Sequence, residues 1–596
     1  MKNTDLRVFV ISANGLLLTA LVCWLGYFFP WFGYLEQSSF FCFLPSYLEP
    51  FLTKPAGVAE LAARFLAQFF LFPVGVVAVH FALVMQLSLS LVGITRALKC
   101  RSLWWGVVAG SAFLPYWIFA FNGMAGFTVA VAYVANLTVA WACLSLARFK
   151  GWGMVCVFIT AVFMYHFTGP LALFCLLPVM VRFPVYGWAL LPFWLLMAFL
   201  DARCFIYSFI QTSGIAFWQS CDFVQKTVWI VTTVIWLAGI FFCRIQWNPV
   251  RHDSHRGFIL LPVWAILWLI PVWCEARPLE RAFYLSEQYA RQENWKKVIK
   301  TTSDYFDRHP FPDASADYNE AGLRDMMAVN LKLALLKTGR LNDSFFAYGN
   351  IEEMNTYMIG LSAGGHYNFP SVRFAFQSGL WIPLRIFTNN ILNAYGIENA
   401  TLRAIIPNSI FWQRYELARN YLYYQSHTLF YRKEARYWQA FADESTSDQQ
   451  AAISFRRQSD SRKMWEEEGL ALDAWVQAMY SPASDSTTLE YFTFTQLFYK
   501  KPDSLPALTA HYRRLGYRTL PQYLQEALLI IQHYEPSGST PPQTYSEYTY
   551  SPAVLKNYVR AESDRILYRE GVLTLDELQS RYGSTYWFHY YFRRFY

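Results

Sequence analysis

Apolar residues run almost unbroken through 8–29, 69–93, 103–120, 124–147, 152–166, 169–181, 184–200, 227–243 and 257–274, with short polar or Pro/Gly-marked breaks between them. A helix rises about 1.5 Å per residue, so about 20 apolar residues cross a bilayer's hydrocarbon core. The pattern therefore predicts about nine transmembrane helices in residues 1–274. The runs at 152–166 and 169–181 are short, and are expected to enter tilted or as a hairpin. After residue 275 the period changes. Apolar positions recur at helical spacing among Tyr, Arg, Gln and Glu, the pattern of helices with one wet face. The fold class expected is all-α: a polytopic helix bundle at 1–274, then a helical domain at 275–596.

Loop charge orients the bundle. One set of alternate loops carries eleven Lys and Arg, the other only Lys54, Arg64, Arg203 and Lys226. Positive residues stay on the cytoplasmic side, which puts the N-terminus inside and, after nine spans, residues 275–596 outside. The first run opens with Lys2 and Arg7 and lacks a small-residue cleavage site, so it reads as a retained anchor. The expected location is a bacterial inner membrane with a periplasmic C-terminal domain.

Composition sharpens this division. Residues 1–274 hold 15 Lys+Arg and 7 Asp+Glu, and residues 275–596 hold 35 of each. A balanced outer half argues against a nucleic-acid partner, which needs a basic patch. All ten cysteines lie between Cys23 and Cys274 without zinc spacing, and Cys204 and Cys221 share one polar loop. No GxSxG, HExxH or P-loop motif occurs in the outer half.

The candidate chemistry lies on the outer face. Glu36 is the first acid after the first apolar run, in a loop expected at 30–56, among Trp31, Phe32, Phe40 and Phe41. Partial desolvation there would raise its pKa toward the range of a general base. Glu60, Arg64 and Gln68 are spaced i, i+4, i+8, one polar stripe on an interfacial helix that completes the segment 30–68. Residues 201–226 read as a second interfacial segment, with Arg203 and Lys226 at phosphate depth. Arg64, Arg203 and Lys226 could together clamp a phosphate or diphosphate. Tyr165 and His166, in "MYHFTGP", are secondary candidates, with a satisfied buried histidine the plainer reading. His252, Asp253 and His255 read as a solvated loop, so no metal site is expected from ligand spacing. His80 is the nearest ionisable group to mid-span, and so few of them disfavour a transporter.

Three resemblances add to this. "FYLSEQYARQENWKKVIKTTSDYFDRHP" resembles a tetratricopeptide repeat, with Leu285, Ser286, Tyr289, Trp295, Val298 and Pro310 at the repeat's positions. Leu331, Leu335, Gly339, Leu341 and Ser344 keep the register of a second copy, and Ala418 marks a third. Such arrays imply a concave face for a protein or peptide partner. The membrane half is topologically similar to C-type membrane glycosyltransferases, which place an acid just after the first span. That resemblance implies Glu36 as catalytic acid, a polyprenyl-phosphate-linked glycan as donor and a divalent metal (Mg or Mn) as cofactor. Gln37 stands where that family often has a second acid. The strings "YLEQSSFFCF", "RFLAQFF", "MYHFTGP" and "TLFYRKEARYW" also resemble an uncharacterised bacterial family of polytopic membrane proteins with a repeat-bearing C-terminal domain. Two functions follow: a lipid-linked-sugar glycosyltransferase or oligosaccharyltransferase, or a non-catalytic membrane-anchored scaffold for envelope assembly in contact with membrane lipids.

Overall fold

The computed structural model describes residues 3–98 (apart from 55), 110–121, 123–146, 152–169, 278–309, 318–348, 369–378, 381–443, 486–498, 505–533 and 550–592, with a few isolated positions. Among these residues the chain is all-helical. It divides into two compact units, Met1–Arg277 with Tyr423–Ala435, and Pro278–Leu422 with Arg436–Tyr596.

In the first unit, α1 (Asn3–Gln37), α2 (Pro45–Thr53), α3 (Gly57–Ala67), a 3-10 turn (Gln68–Leu71), α4 (Pro73–Ala97), α5 (Phe113–Ala120), α6 (Gly123–Leu146) and α7 (Trp152–Thr168) follow in order. Among the described residues, three stretches are long and apolar enough to cross a membrane: Asn14–Gln37, Pro73–Ala97 and Gly123–Ser145. Leu16, Val22, Val74, Ile159 and Phe163 are exposed, as lipid-facing side chains would be. Most of the runs expected at 169–181, 184–200, 227–243 and 257–274, and the start of 103–120, lie outside the described residues.

Two boundaries differ from expectation. The first helix does not yield to a loop at Pro30 but continues through it to Gln37. Proline is tolerated inside membrane helices where neighbours compensate the lost bond. The second begins at Pro73, not 69, because Gln68–Leu71 forms the 3-10 turn and Pro73 supplies the preset φ of a first helical turn.

The bundle is held by close packing and a few polar clasps. A Cβ on Gly93 would lie 2.2 Å from the Trp141 indole nitrogen, so any larger residue there would force that indole to move where α4 and α6 meet. Ser90 and Gln86 both bond Thr138, at 3.0 and 3.1 Å. Thr168 donates to Asn136 at 3.1 Å. His80 is fully buried, its Nδ1 2.7 Å from the Tyr116 hydroxyl and its ring stacked on Phe70. It is a packed core histidine.

The second unit opens with an antiparallel hairpin, α8 (Pro278–Arg291) and α9 (Trp295–Arg308), against which α10 (Tyr318–Lys337) packs. Ala290, Val298 and Ala334 meet at the junction. Small residues let the three backbones approach. Glu287 is buried and paired with both terminal nitrogens of Arg373, its Oε2 2.8 Å from Nη1, and takes a third bond from Asn330 at 3.2 Å. The second expected copy does not give a full partner helix among the described residues. After the left-handed turn at Gly339, α11 is a single turn (Leu341–Ser344) that tightens into a 3-10 turn at Phe345–Tyr348. There Phe345 packs on Phe494 and Phe346 on Tyr523, so two successive rings are both held in the core. Then come α12 (Phe369–Gln377), α13 (Trp381–Tyr395), α14 (Asn399–Phe411), α15 (Tyr415–Ser426), α16 (Arg432–Ala442), α17 (Ser486–Phe498), α18 (Leu505–Arg514), α19 (Gln522–His533), α20 (Pro552–Arg569), α21 (Leu575–Tyr582) and α22 (Tyr586–Phe592). Ala418 on α15 is fully buried.

Candidate functional site: the Glu36 anchor

Glu36 lies in the last turn of α1, not in a loop, and is 1% exposed. A turn at Ser38 and an irregular stretch at 39–44 lead from it into α2, with Phe40 and Phe41 buried. Opposite lies Tyr423–Ala435, which belongs to this unit although its neighbours in sequence belong to the other. Tyr431 donates its hydroxyl to Glu36 Oε1 at 2.6 Å, across 395 residues of sequence. Three further contacts fasten the same segment. The Phe43 amide donates to the His427 carbonyl at 3.1 Å. The Leu429 amide donates to Gln68 Oε1 at 3.3 Å. Phe430 packs edge-on against Phe69 and Phe72, at 5.7 and 5.3 Å between ring centres. Within the segment, Thr428 accepts from Arg432 Nε through its carbonyl at 2.9 Å, which turns the chain into α16.

Gln68 therefore does not complete a polar stripe with Glu60 and Arg64. The helix stops at Ala67, and Gln68 turns inward and is buried. Glu60 and Arg64 do pair, Arg64 Nη2 lying 2.9 Å from Glu60 Oε1 with Nε at 3.1 Å, and Lys54 takes the other carboxylate oxygen. Burial pushes the Glu60 carboxyl up, but Arg64 and Lys54 outweigh it and hold the carboxyl below its usual range. Lys54 and Arg64 both lie over the Phe51 ring, each 5.5 Å from its centre. Tyr47 beside them donates to the Phe40 carbonyl, and burial raises its pKa despite Arg64 nearby.

Tyr165 is buried at the end of α7. His166 ties α7 to the corner between α2 and α3: its Nε2 lies 2.8 Å from the Leu52 carbonyl, and its own carbonyl accepts from the Ala56 amide at 2.9 Å. Arg203, Lys226, Cys204 and Cys221 lie outside the described residues. The structure thus gathers Glu60, Arg64 and Lys54 into one cluster and His166 beside the same corner, and gives Glu36 a tyrosine. Among the described residues, no group of three or more His, Cys, Asp or Glu is arranged to hold a metal ion. Tyr431, His427 and Leu429 escaped the sequence reading. Their local signal was an apolar triplet, Leu429–Phe430–Tyr431, set between polar helices.

The arrangement defines an all-helical protein with apolar helices of membrane-spanning length and a buried carboxylate gripping a returning segment. Residues 6–593 match a family of unknown function, DUF6057, and the chain belongs to that family. Neither a curated protein nor a solved structure matches it.

Proposed function

We propose that the protein is a non-catalytic scaffold: a multi-pass bacterial inner-membrane protein whose periplasmic, tetratricopeptide-like helices receive a protein or peptide partner in envelope assembly. The observation that carries this reading is Glu36 itself, buried and bonded to Tyr431 of the returning segment. A carboxylate spent on a docking contact is explained by architecture. The α8–α9 hairpin with its small-residue junction supports the repeat reading.

A second reading has one observation in its favour. Lys54 and Arg64 share the Phe51 ring at the outer corner, a placement suited to a polyprenyl phosphate. In that reading the protein is a lipid-linked-sugar transferase, with Glu36 as base or as ligand of a divalent metal.

The two separate cleanly in a deletion strain complemented with Glu36→Gln or Tyr431→Phe. If Glu36 serves docking, both variants give the same mild defect, in proportion to protein abundance. A loss of envelope glycans in Glu36→Gln as deep as in the deletion, at normal abundance and with Tyr431→Phe unaffected, refutes the scaffold reading.

A further inference from the structure

The second unit contains a cavity of about 490 Å³ between the turn at Gly339, the start of α11, α17, the α18–α19 connection and the first turn of α20. Its walls include Asp343, Glu490, Tyr512, Tyr517, Gln522 and Gln525 and, among the described residues, no Lys, Arg or His. Glu490 is 6% exposed. Its Oε1 accepts the Leu341 amide at 2.7 Å, and its Oε2 faces Gly339, 4.0 Å from where a Cβ there would stand. Asp343 Oδ1 accepts the Gln522 amide at 2.6 Å. Neither acid has an ion-pair partner among the described residues. Tyr512 and Tyr517 meet edge-to-face, 5.1 Å between centres, and set two aromatic rings beside the acids.

Two carboxylates that meet no cation among the described residues, in a cavity of ligand size walled by aromatic rings, make a site for positive charge. We infer that this cavity binds an alkylammonium or guanidinium group, its charge shared by Glu490 and Asp343 and its stem lying against Tyr512 and Tyr517. Burial pushes the Glu490 carboxyl up to about 7 against the Leu341 and Asn342 amides, which hold it down, with Asp343 adding to the rise; a bound cation would favour its ionised form. The inference rests on the second unit alone and holds whatever Glu36 does. The charge can come from a Lys or Arg side chain of a protein or from a free amine.

Calorimetric titration of the detergent-solubilised full chain with N-acetyl-lysine amide, N-acetyl-arginine amide, putrescine and the neutral N-acetyl-glutamine amide tests it. At least one cation should bind and the neutral amide should not. A capped residue binding better than putrescine assigns the site to a protein side chain, and the reverse to a small amine. Glu490→Gln and Asp343→Asn keep the acceptors for Leu341 and Gln522, and each should weaken binding by about tenfold or more, the scale of one charge-assisted hydrogen bond. Asp343 is exposed, so its variant tests the site even if Glu490→Gln disturbs folding. No cation binding, equal binding of the neutral amide, or unchanged affinity in Asp343→Asn overturns the assignment.

Discussion

Replacing Tyr431 by Phe removes one oxygen and leaves the ring, so it isolates the bond to Glu36. The bond is 2.6 Å long and its acceptor is 1% exposed. A hydrogen bond contributes about 1 kcal/mol, and about 1.5–3 kcal/mol where one partner is charged, so its loss should raise the population in which the segment 423–435 is undocked by about 5- to 150-fold. Arg432 and Lys433 are exposed at the end of that segment, while Arg432 Nε is held by the Thr428 carbonyl. Trypsin should therefore cut the solubilised variant there faster by the same factor, provided opening equilibrates faster than cleavage. Cleavage at Arg569, exposed on α20, serves as the internal control and should not change. Combining Tyr431→Phe with Glu36→Gln should then add little beyond either alone, as partners in one bond do. Cleavage within twofold of wild type, or strictly additive effects, would refute the claim that this bond holds the segment down.

Arg373→Ala should destabilise the protein by about 3–5 kcal/mol, because it strands the 2%-exposed side chain of Glu287 without its counter-ion. Replacing both by Leu should recover much of that loss, and thermal unfolding followed by far-ultraviolet circular dichroism distinguishes the cases. Burial pushes the Glu526 carboxyl up to about 7, with Asp343 adding to the rise and bonds from Gln522 and the Tyr586 amide opposing it. Between pH ~4.5 and ~7 the folded chain then keeps a proton that the unfolded chain has released, so this group's stabilisation falls as pH rises through that window. The full effect is on the order of 3 kcal/mol. Glu526→Gln should flatten the decline of melting temperature between pH 5 and 7 relative to wild type, and an unchanged slope would count against it.

Much of the local structure could be read from the chain. The apolar runs near residues 14, 73 and 123 became helices because their length and composition permit little else in lipid. The first hairpin was legible because its apolar positions recur at helical spacing, and Ser286 and Val298, picked out for that spacing, are both fully buried. Pro30 misled, since in a soluble helix it would mark an end. Gln68 misled because helical spacing was extended one residue past the point where Pro73 and the 3-10 turn redirect the backbone. The site's central contact had no local signature. Nothing in the spacing around Glu36 or Tyr431 encodes a bond across 395 residues, and only the tertiary fold supplies it.

That separation also sets a timetable for biogenesis. Ribosomes add about 5–20 residues per second, so the Tyr431 hydroxyl is synthesised roughly 20–80 s after the Glu36 carboxylate. The helix that carries Glu36 is thus complete long before its tyrosine exists. The Glu36 end of α1 can reach the mature arrangement only after the segment 423–435 has been translated, and a nascent chain arrested before residue 423 never completes it.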